Sequence, residues 1–371
     1  VKNSLTIGEL FGIPVKIHIS LLIILPFFAW AFGNNIIYLS ENTEIARSAL
    51  VLNPYLLGLI MAVILFISIL FHELAHSLVA RSKDIKINDI TLMLFGGVAN
   101  IDDISKDPKV EIQIAASGPL TSLVLGILLI GFSLIFPGFF IEDIRLVTLY
   151  SGQLNIFLAL FNLLPAFPSD GGRILRAFLA QRTSSLKATE LASKIGKGFA
   201  FFFGLVGFMT GNFLLVFIGF FVYIGASQEY QFSTIKNALS DLKVADLMTT
   251  EVKTVPANIS VQQLIENMFN YKHSGFPVVR DGKVVGMVTM EDAQKIPQDE
   301  YRNTSVQSIM SKEIHSVSAE DELYEAFKLL FQKDIGRLLI LEDDELKGII
   351  TRSDILTGIR IRQLENYHSS N

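Results

Sequence analysis

Residues 55–76 read YLLGLIMAVILFISILFHELAH, an apolar run without charge through Phe71 that ends in His72-Glu73-Leu74-Ala75-His76. A bilayer core takes about 20 apolar residues of helix, so this run is long enough to enter one. On a helix, His-Glu-x-x-His sets two imidazoles at i and i+4 on one face. That spacing suits a tetrahedral zinc site, with the carboxylate beside it as a general base. On a surface helix the same pattern can be no more than a polar turn. Within an apolar span, ionisable side chains are costly and point to function.

Working outward, the composition fits a membrane location. Half of the 371 residues are hydrophobic and only 18% are charged, a balance expected of a polytopic α-helical membrane protein. The polar residues concentrate after Asp241, whereas 17–228 holds several long charge-free runs, so a domain boundary is expected near Ser240. With no cysteine in the chain, disulfides and thiolate ligands are excluded, and a zinc site must use His, Asp or Glu. A net charge of −5 argues against a nucleic-acid partner. The apolar run from Ile17 lacks a small-residue cleavage site and reads as a first span rather than a signal peptide.

Spans are expected at Ile17 to Gly33, Tyr55 to Ala80, Ile112 to Phe136 and Leu146 to Pro168. The run from Gly198 to Gln228 would be roughly 46 Å long as one helix and is interrupted by Thr210-Gly211-Asn212, so a short helical hairpin is expected. This makes about six transmembrane helices. Arg81, Lys83, Lys86, Lys106 and Lys109 follow the second span; Arg173, Arg176, Arg182, Lys187, Lys194 and Lys197 follow the fourth; Arg47 and Arg145 stand alone in the other loops. The positive-inside rule then puts the N-terminus, both basic loops and the polar C-terminal region in the cytoplasm of a multi-pass cell-membrane protein. His72 and His76 fall in the cytoplasmic half of their span.

Two histidines leave a zinc site short of a ligand, and topology brings Asp170 to the same depth. It lies in Asn162-Leu163-Leu164-Pro165-Ala166-Phe167-Pro168-Ser169-Asp170-Gly171-Gly172, where two prolines disfavour a regular helix and two glycines permit a sharp turn. Irregular backbone at membrane depth is tolerated where it is buried in protein or lines a cavity. On its own, Asp170 also reads as a helix cap.

With HExxH in one span and an N-x-x-P-x-x-P-x-D-G segment in a later one, the chain resembles the site-2 protease family of intramembrane zinc metalloproteases over roughly residues 1–230. The resemblance implies His72, His76 and Asp170 as ligands of one Zn2+, Glu73 as the base that activates water, and Asn162 as a catalytic polar stabiliser. It also implies a substrate-binding re-entrant loop at Gly96 and Gly97, within Ile90 to Ile101, where the residues from Ile90 to Val98 could offer an edge to an unwound substrate. Ser117-Gly118-Pro119-Leu120 is a weaker match. The partners implied are a transmembrane protein substrate and the lipid bilayer. Asn155 and Gln153 read as helix–helix glue, the phenylalanines between Phe199 and Phe221 as lipid or bundle packing, and His18 as an edge residue. His273, His315 and His368 read as surface or turn residues.

From Val244 the chain repeats at about 62 residues: Val244-Ala245-Asp246-Leu247-Met248 returns as Val306-Gln307-Ser308-Ile309-Met310, and Gly286-Met287-Val288-Thr289 as Gly348-Ile349-Ile350-Thr351. Turns are expected at Arg280-Asp281-Gly282 and at Asp343-Asp344. The repeat resembles a soluble α/β tandem CBS domain, with copies at 244–300 and 301–371 after a solvated linker at 231–243. The resemblance implies a regulatory adenine nucleotide near Thr289, Asp292, Thr351 and Asp354, where hydroxyl and helix start can meet a phosphate and carboxylate a ribose, and a homodimer through these domains. The function expected is cleavage of transmembrane segments, modulated by that nucleotide. The rival is a CBS-regulated divalent-metal transporter or channel using the same polar residues, which differs in having no need of a base at Glu73.

Overall fold

The computed structural model describes residues 3–42, 50–94, 96–101, 107–135 and 141–369. Arg47, Lys106 and Phe136, which enter the span and orientation expectations, lie outside them. The chain divides into two compact units, Val1–Ser233 and Thr234–Asn371.

The first unit opens with strands β1 (Ser4–Leu10) and β2 (Ile13–His18), followed by helices α1 (Ile19–Asn42) and α2 (Pro54–Arg81). Strands β3 (Ile87–Met93) and β4 (Gly96–Ile101) precede α3 (Pro108–Ile135), α4 (Glu142–Asn162), α5 (Asp170–Ala180), α6 (Ser185–Thr210) and α7 (Phe213–Leu239). Six of these helices are long and apolar enough to cross a membrane: α1 over Ile19–Tyr38, α2, α3, α4, α6 and α7. Residues such as Phe201, Phe208 and Phe213 are exposed on them, as lipid-facing packing requires.

The structure refines several of these expectations. Ile17 belongs to β2, because Ile13, Val15 and Ile17 alternate inward as a strand against α2 before α1 begins. The hairpin expected within 198–228 is present and turns at Gly211, which takes φ +68°, but its two helices are longer than that run, extended at both ends by good helix formers. The loop expected between Ile90 and Ile101 is a β-hairpin in a four-stranded sheet of order β1-β2-β3-β4, with β2 and β3 parallel; Phe95 lies outside the described residues. The helix expected to Pro168 ends at Asn162, as Pro165 and Pro168 foretell.

Small residues set the span packing. A methyl at Gly126 of α3 would stand 2.8 Å from Gly152 O of α4, and one at Gly152 would stand 3.0 Å from Gly126 O. This reciprocal contact lets α3 and α4 approach closely. Nearby, Asn155 Nδ2 donates to Ser68 Oγ of α2 at 2.9 Å, so its glue reading has a partner, while Gln153 is exposed.

In the second unit each repeat forms a three-stranded sheet. The first has β5 (Val255–Pro256), α8 (Val261–Tyr271), β6 (Gly275–Arg280), β7 (Lys283–Thr289) and α9 (Met290–Gln294), and α10 (Val306–Ile309) follows. The second has β8 (Ser316–Val317), α11 (Leu323–Gln332), β9 (Arg337–Glu342), β10 (Glu345–Thr351) and α12 (Arg352–Ser369). Both expected turns are present, with positive φ at Asp281 and Gly282 and at Asp343 and Asp344. The repeats exchange segments. Tyr301, Val306, Ile309 and Met310 complete the core of the first, and Ile235, Ala238, Leu239, Val244 and Met248 complete that of the second. The expected linker at 231–243 is therefore corrected: it is helical through Leu239, because Ile235, Ala238 and Leu239 recur on one helical face and bury it.

Replacing Gly126 or Gly152 with Val is expected to destabilise the span bundle by about 1–3 kcal/mol each. The double variant should lose less than the sum, because one contact is removed twice. Thermal unfolding of detergent-purified protein checks this, and strict additivity would count against the contact.

Candidate metal centre

The helical register of α2 presents His72 and His76 on one face, their rings edge-to-face with centroids 4.8 Å apart. Both are buried, at 4% and 7% exposure. Asp170 arrives from elsewhere: the chain leaves α4 and folds tightly through Leu163–Ser169, where Ser169 Oγ donates to Leu164 O at 2.6 Å, before α5 starts at Asp170. Gly171 and Gly172 allow that start, since a methyl on either would overlap the backbone of Leu163, Leu164 or Phe167. Arg176, further along α5, bonds Glu111 of α3 through Nε at 2.8 Å and Glu229 of α7 through Nη1 at 2.9 Å. These bonds hold the helix that carries Asp170 against its neighbours.

The result is convergence. Asp170 Oδ2 lies 3.1 Å from His72 Nε2 and 3.2 Å from His76 Nε2, and ligand atoms of the three residues all fall within 4.8 Å of one another. On the far side of each ring, His76 Nδ1 is 2.7 Å from Ile114 O and His72 Nδ1 is 2.9 Å from Ser122 Oγ, both on α3. A carbonyl only accepts, so His76 Nδ1 carries the hydrogen and, in the neutral ring, Nε2 is a bare lone pair. Lone pair and carboxylate oxygen at 3.2 Å repel unless a cation lies between them. Two imidazoles and one carboxylate form a hydrolytic zinc donor set with a position left for water, so the residues fit that ion.

Gly118 of α3 completes the pocket, for a methyl there would stand 2.5 Å from His76 Cε1 and 2.6 Å from His72 Nε2. The sequence offers Ser117 to Leu120 only as a weaker family match without a role, and Ser122 was missed. The signal was present: Ser117, Gly118, Thr121 and Ser122 share one face of an apolar helix, which marks a close interhelical approach.

Glu73 lies one residue from His72 and faces β4. A methyl at Gly97 would overlap Glu73 Cγ and stand 3.3 Å from Oε1, so only glycine lets the strand pass this close. Gly96 has φ +124° where the hairpin turns, a conformation suited to glycine. Among the described residues β4 pairs with β3 alone and forms an edge of the sheet. Across the sheet Lys16 Nζ bonds Asp89 Oδ2 at 2.9 Å. Burial pushes the Asp89 carboxyl up, but the bonds from Lys16 and Thr91 outweigh it and hold the group below the usual range.

Asn162 is placed at the C-terminal end of α4, where its Nδ2 donates to Leu158 O at 3.0 Å. The structure thus joins His72, His76, Asp170, Glu73 and Gly97, and ties the Asn162 amide nitrogen to its own helix. In the second unit Thr289 Oγ1 donates to Asp292 Oδ2, and Thr351 Oγ1 to Asp354 Oδ2, each at 2.7 Å. Both pairs cap helices. For Asp292, burial raises the carboxyl, but Thr289 and Lys295 more than offset it and hold it low.

The profile of peptidase family M50 matches residues 60–149 and 141–203, and that of the CBS domain matches 244–298 and 306–360. A zinc metalloprotease of Methanocaldococcus jannaschii is 34% identical over 98% of this chain and 98% of its own length. A solved site-2 protease from the same organism is 35% identical, with a TM-score of 0.42 over 61% of this chain and 95% of that one. The CBS domain-containing protein YhcV of Bacillus subtilis is 33% identical over 30% of this chain and 81% of its own.

Ser122→Ala removes the outer partner of His72 and is expected to weaken zinc binding roughly 10- to 100-fold. Competition with a chelator measures this, and unchanged affinity would show that the hydroxyl does not orient the ring.

Proposed function

The chain belongs to peptidase family M50, the site-2 protease family, and from that premise we propose that this zinc metalloprotease with tandem CBS domains cleaves transmembrane segments of other membrane proteins. The observation that carries the reading is the meeting of His72, His76 and Asp170 beside Glu73, with an edge strand passing over that carboxylate.

In this reading His72 and His76, through Nε2, and Asp170, through its carboxylate, hold the metal. When bound, zinc supplies a Lewis acid for the scissile carbonyl and lowers the pKa of its water towards ~7. Glu73 takes the proton of the attacking water and returns it to the leaving amine. Ser122 and Ile114 O fix the ring orientations from behind, so the histidines need not reorganise during the reaction. Asn162 contributes an amide to the developing oxyanion after releasing its bond to Leu158.

A substrate helix presents no free carbonyl until it unwinds. The unwound stretch pairs with β4 as an added strand, and Gly96 and Gly97 keep that strand near Glu73. The basic loops, the N-terminus and the CBS pair lie on the cytoplasmic side, and cleavage falls in the cytoplasmic half of the bilayer. An adenine nucleotide at Thr289, Asp292, Thr351 and Asp354 modulates the protease, and the CBS pairs of two chains associate as a homodimer.

Glu73→Gln should retain zinc and lower cleavage of a model transmembrane substrate by roughly 100- to 10,000-fold; undiminished cleavage would refute the water-activating role. Asp170→Ala should lower the zinc content of purified protein, and full occupancy would place the third ligand elsewhere.

A further inference from the structure

Arg173 lies one turn past Asp170 on α5, a spacing that makes two side chains neighbours on a helix surface. Arg176, three residues further on, is committed to Glu111 and Glu229. Arg173 has no such commitment. Among the described residues its guanidinium makes no hydrogen bond, ion pair or ring contact, although the residue is half-buried. Its charge is felt at the Glu73 carboxylate, yet the two groups do not pair, so a gap is left between base and cation. The backbone of β4 passes the same carboxylate at Gly97.

The charges of the site leave that cation in surplus. Two carboxylates, Asp170 and Glu73, offset a divalent ion held with two neutral imidazoles. Arg173 then adds one positive charge. Hydrolysis does not change the sum, since water and peptide bond enter neutral and the carboxylate and ammonium formed carry opposite charges. A half-buried cation without a counter-ion is costly to keep, and a guanidinium presents a planar fork of donors that fits a carboxylate bidentately. An arginine at the end of a span ordinarily turns its tip to the phosphates of the bilayer surface. The burial of Arg173 and the reach of its charge to Glu73 place it at the site instead.

We infer that Arg173 determines specificity: it receives an acidic side chain of the substrate, within about three residues of the scissile bond, and disfavours a basic one there. This rests on the proposed cleavage of transmembrane segments. A chain laid along β4 passes Glu73, and extended backbone advances about 3.3 Å per residue, so side chains flanking the scissile bond come within reach of the guanidinium. The substrate class is thus a membrane segment that carries a carboxylate close to its point of cleavage.

The full-length zinc-loaded protein in uncharged detergent is given a model transmembrane substrate with a single glutamate, glutamine or lysine placed in turn at the positions flanking the scissile bond. At one position kcat/KM of wild type should favour glutamate over glutamine by at least about tenfold, and over lysine by more. Arg173→Glu should invert the order there and favour lysine. Binding of the same substrates to Glu73→Gln protein, read by fluorescence anisotropy, should show the wild-type preference without any cleavage. Indifference to charge at every position, or a preference for glutamate that survives in Arg173→Glu, would overturn the assignment while leaving proteolysis intact. A loss of activity in Arg173→Glu that is equal for all substrates and confined to phosphatidylglycerol vesicles would give the guanidinium to lipid headgroups and overturn it too. Failure of wild type to cut any of these substrates would instead count against the cleavage of transmembrane segments itself. The wild-type scan decides even if Arg173→Glu fails to fold.

Discussion

A carboxylate oxygen of Asp170 lies within 3.2 Å of two imidazole nitrogens inside an apolar bundle, and much of the first unit serves to make that tolerable. Buried polar groups need partners, and charges need them most. The outer ring nitrogens find theirs on α3, in Ser122 Oγ and Ile114 O. The inner ones face Asp170, a geometry that calls for a cation. α3 must lie very close to α2 to provide those partners, which is why the residue between them is Gly118. Asp170 in turn sits at the start of α5, which follows a proline-broken turn closed by Ser169 and is anchored by Arg176 to Glu111 and Glu229.

The same constraint explains the sheet. A carboxylate at position 73 needs a polar approach from one side, while the bundle behind it must exclude lipid and bulk water. β3 meets the second need by burying Ile90 and Leu92 against α1 and α2, and β4 meets the first by carrying backbone past Glu73 with no side chain in the way. Lys16 and Asp89 pair on the opposite face of that sheet, so its polar ladder is satisfied away from the apolar interior.

What the sequence reveals of this arrangement follows from how local each signal is. The spans are legible because hydropathy needs only composition, and the HExxH pair because i and i+4 share a helix face. Asp170 is legible because prolines and glycines announce a break. The strand at Ile13–His18 is not, since its apolar residues run directly into those of α1 and hide the change of period. Ser122 and Gly118 gain their roles only from the register of α3 against α2, which no single segment encodes. The exchange of segments between the CBS repeats is likewise non-local: Ile235, Ala238 and Leu239 carry a helical pattern, but nothing in it says that the face they form is covered by the second repeat and not by the first.

That exchange bears on what the repeats can do separately. Each core is completed by the stretch that precedes the other, so neither half closes its core with its own strands and helices alone. The Thr–Asp pairs are shared equally by the halves, and each already commits one carboxylate oxygen to capping a helix. Residues that are equivalent in both copies cannot make the copies differ. Any chemical asymmetry between them must therefore come from positions where the repeat fails, and the substitution of glycine for arginine between 275 and 337 is such a position, since it changes both the charge and the space beside Thr289.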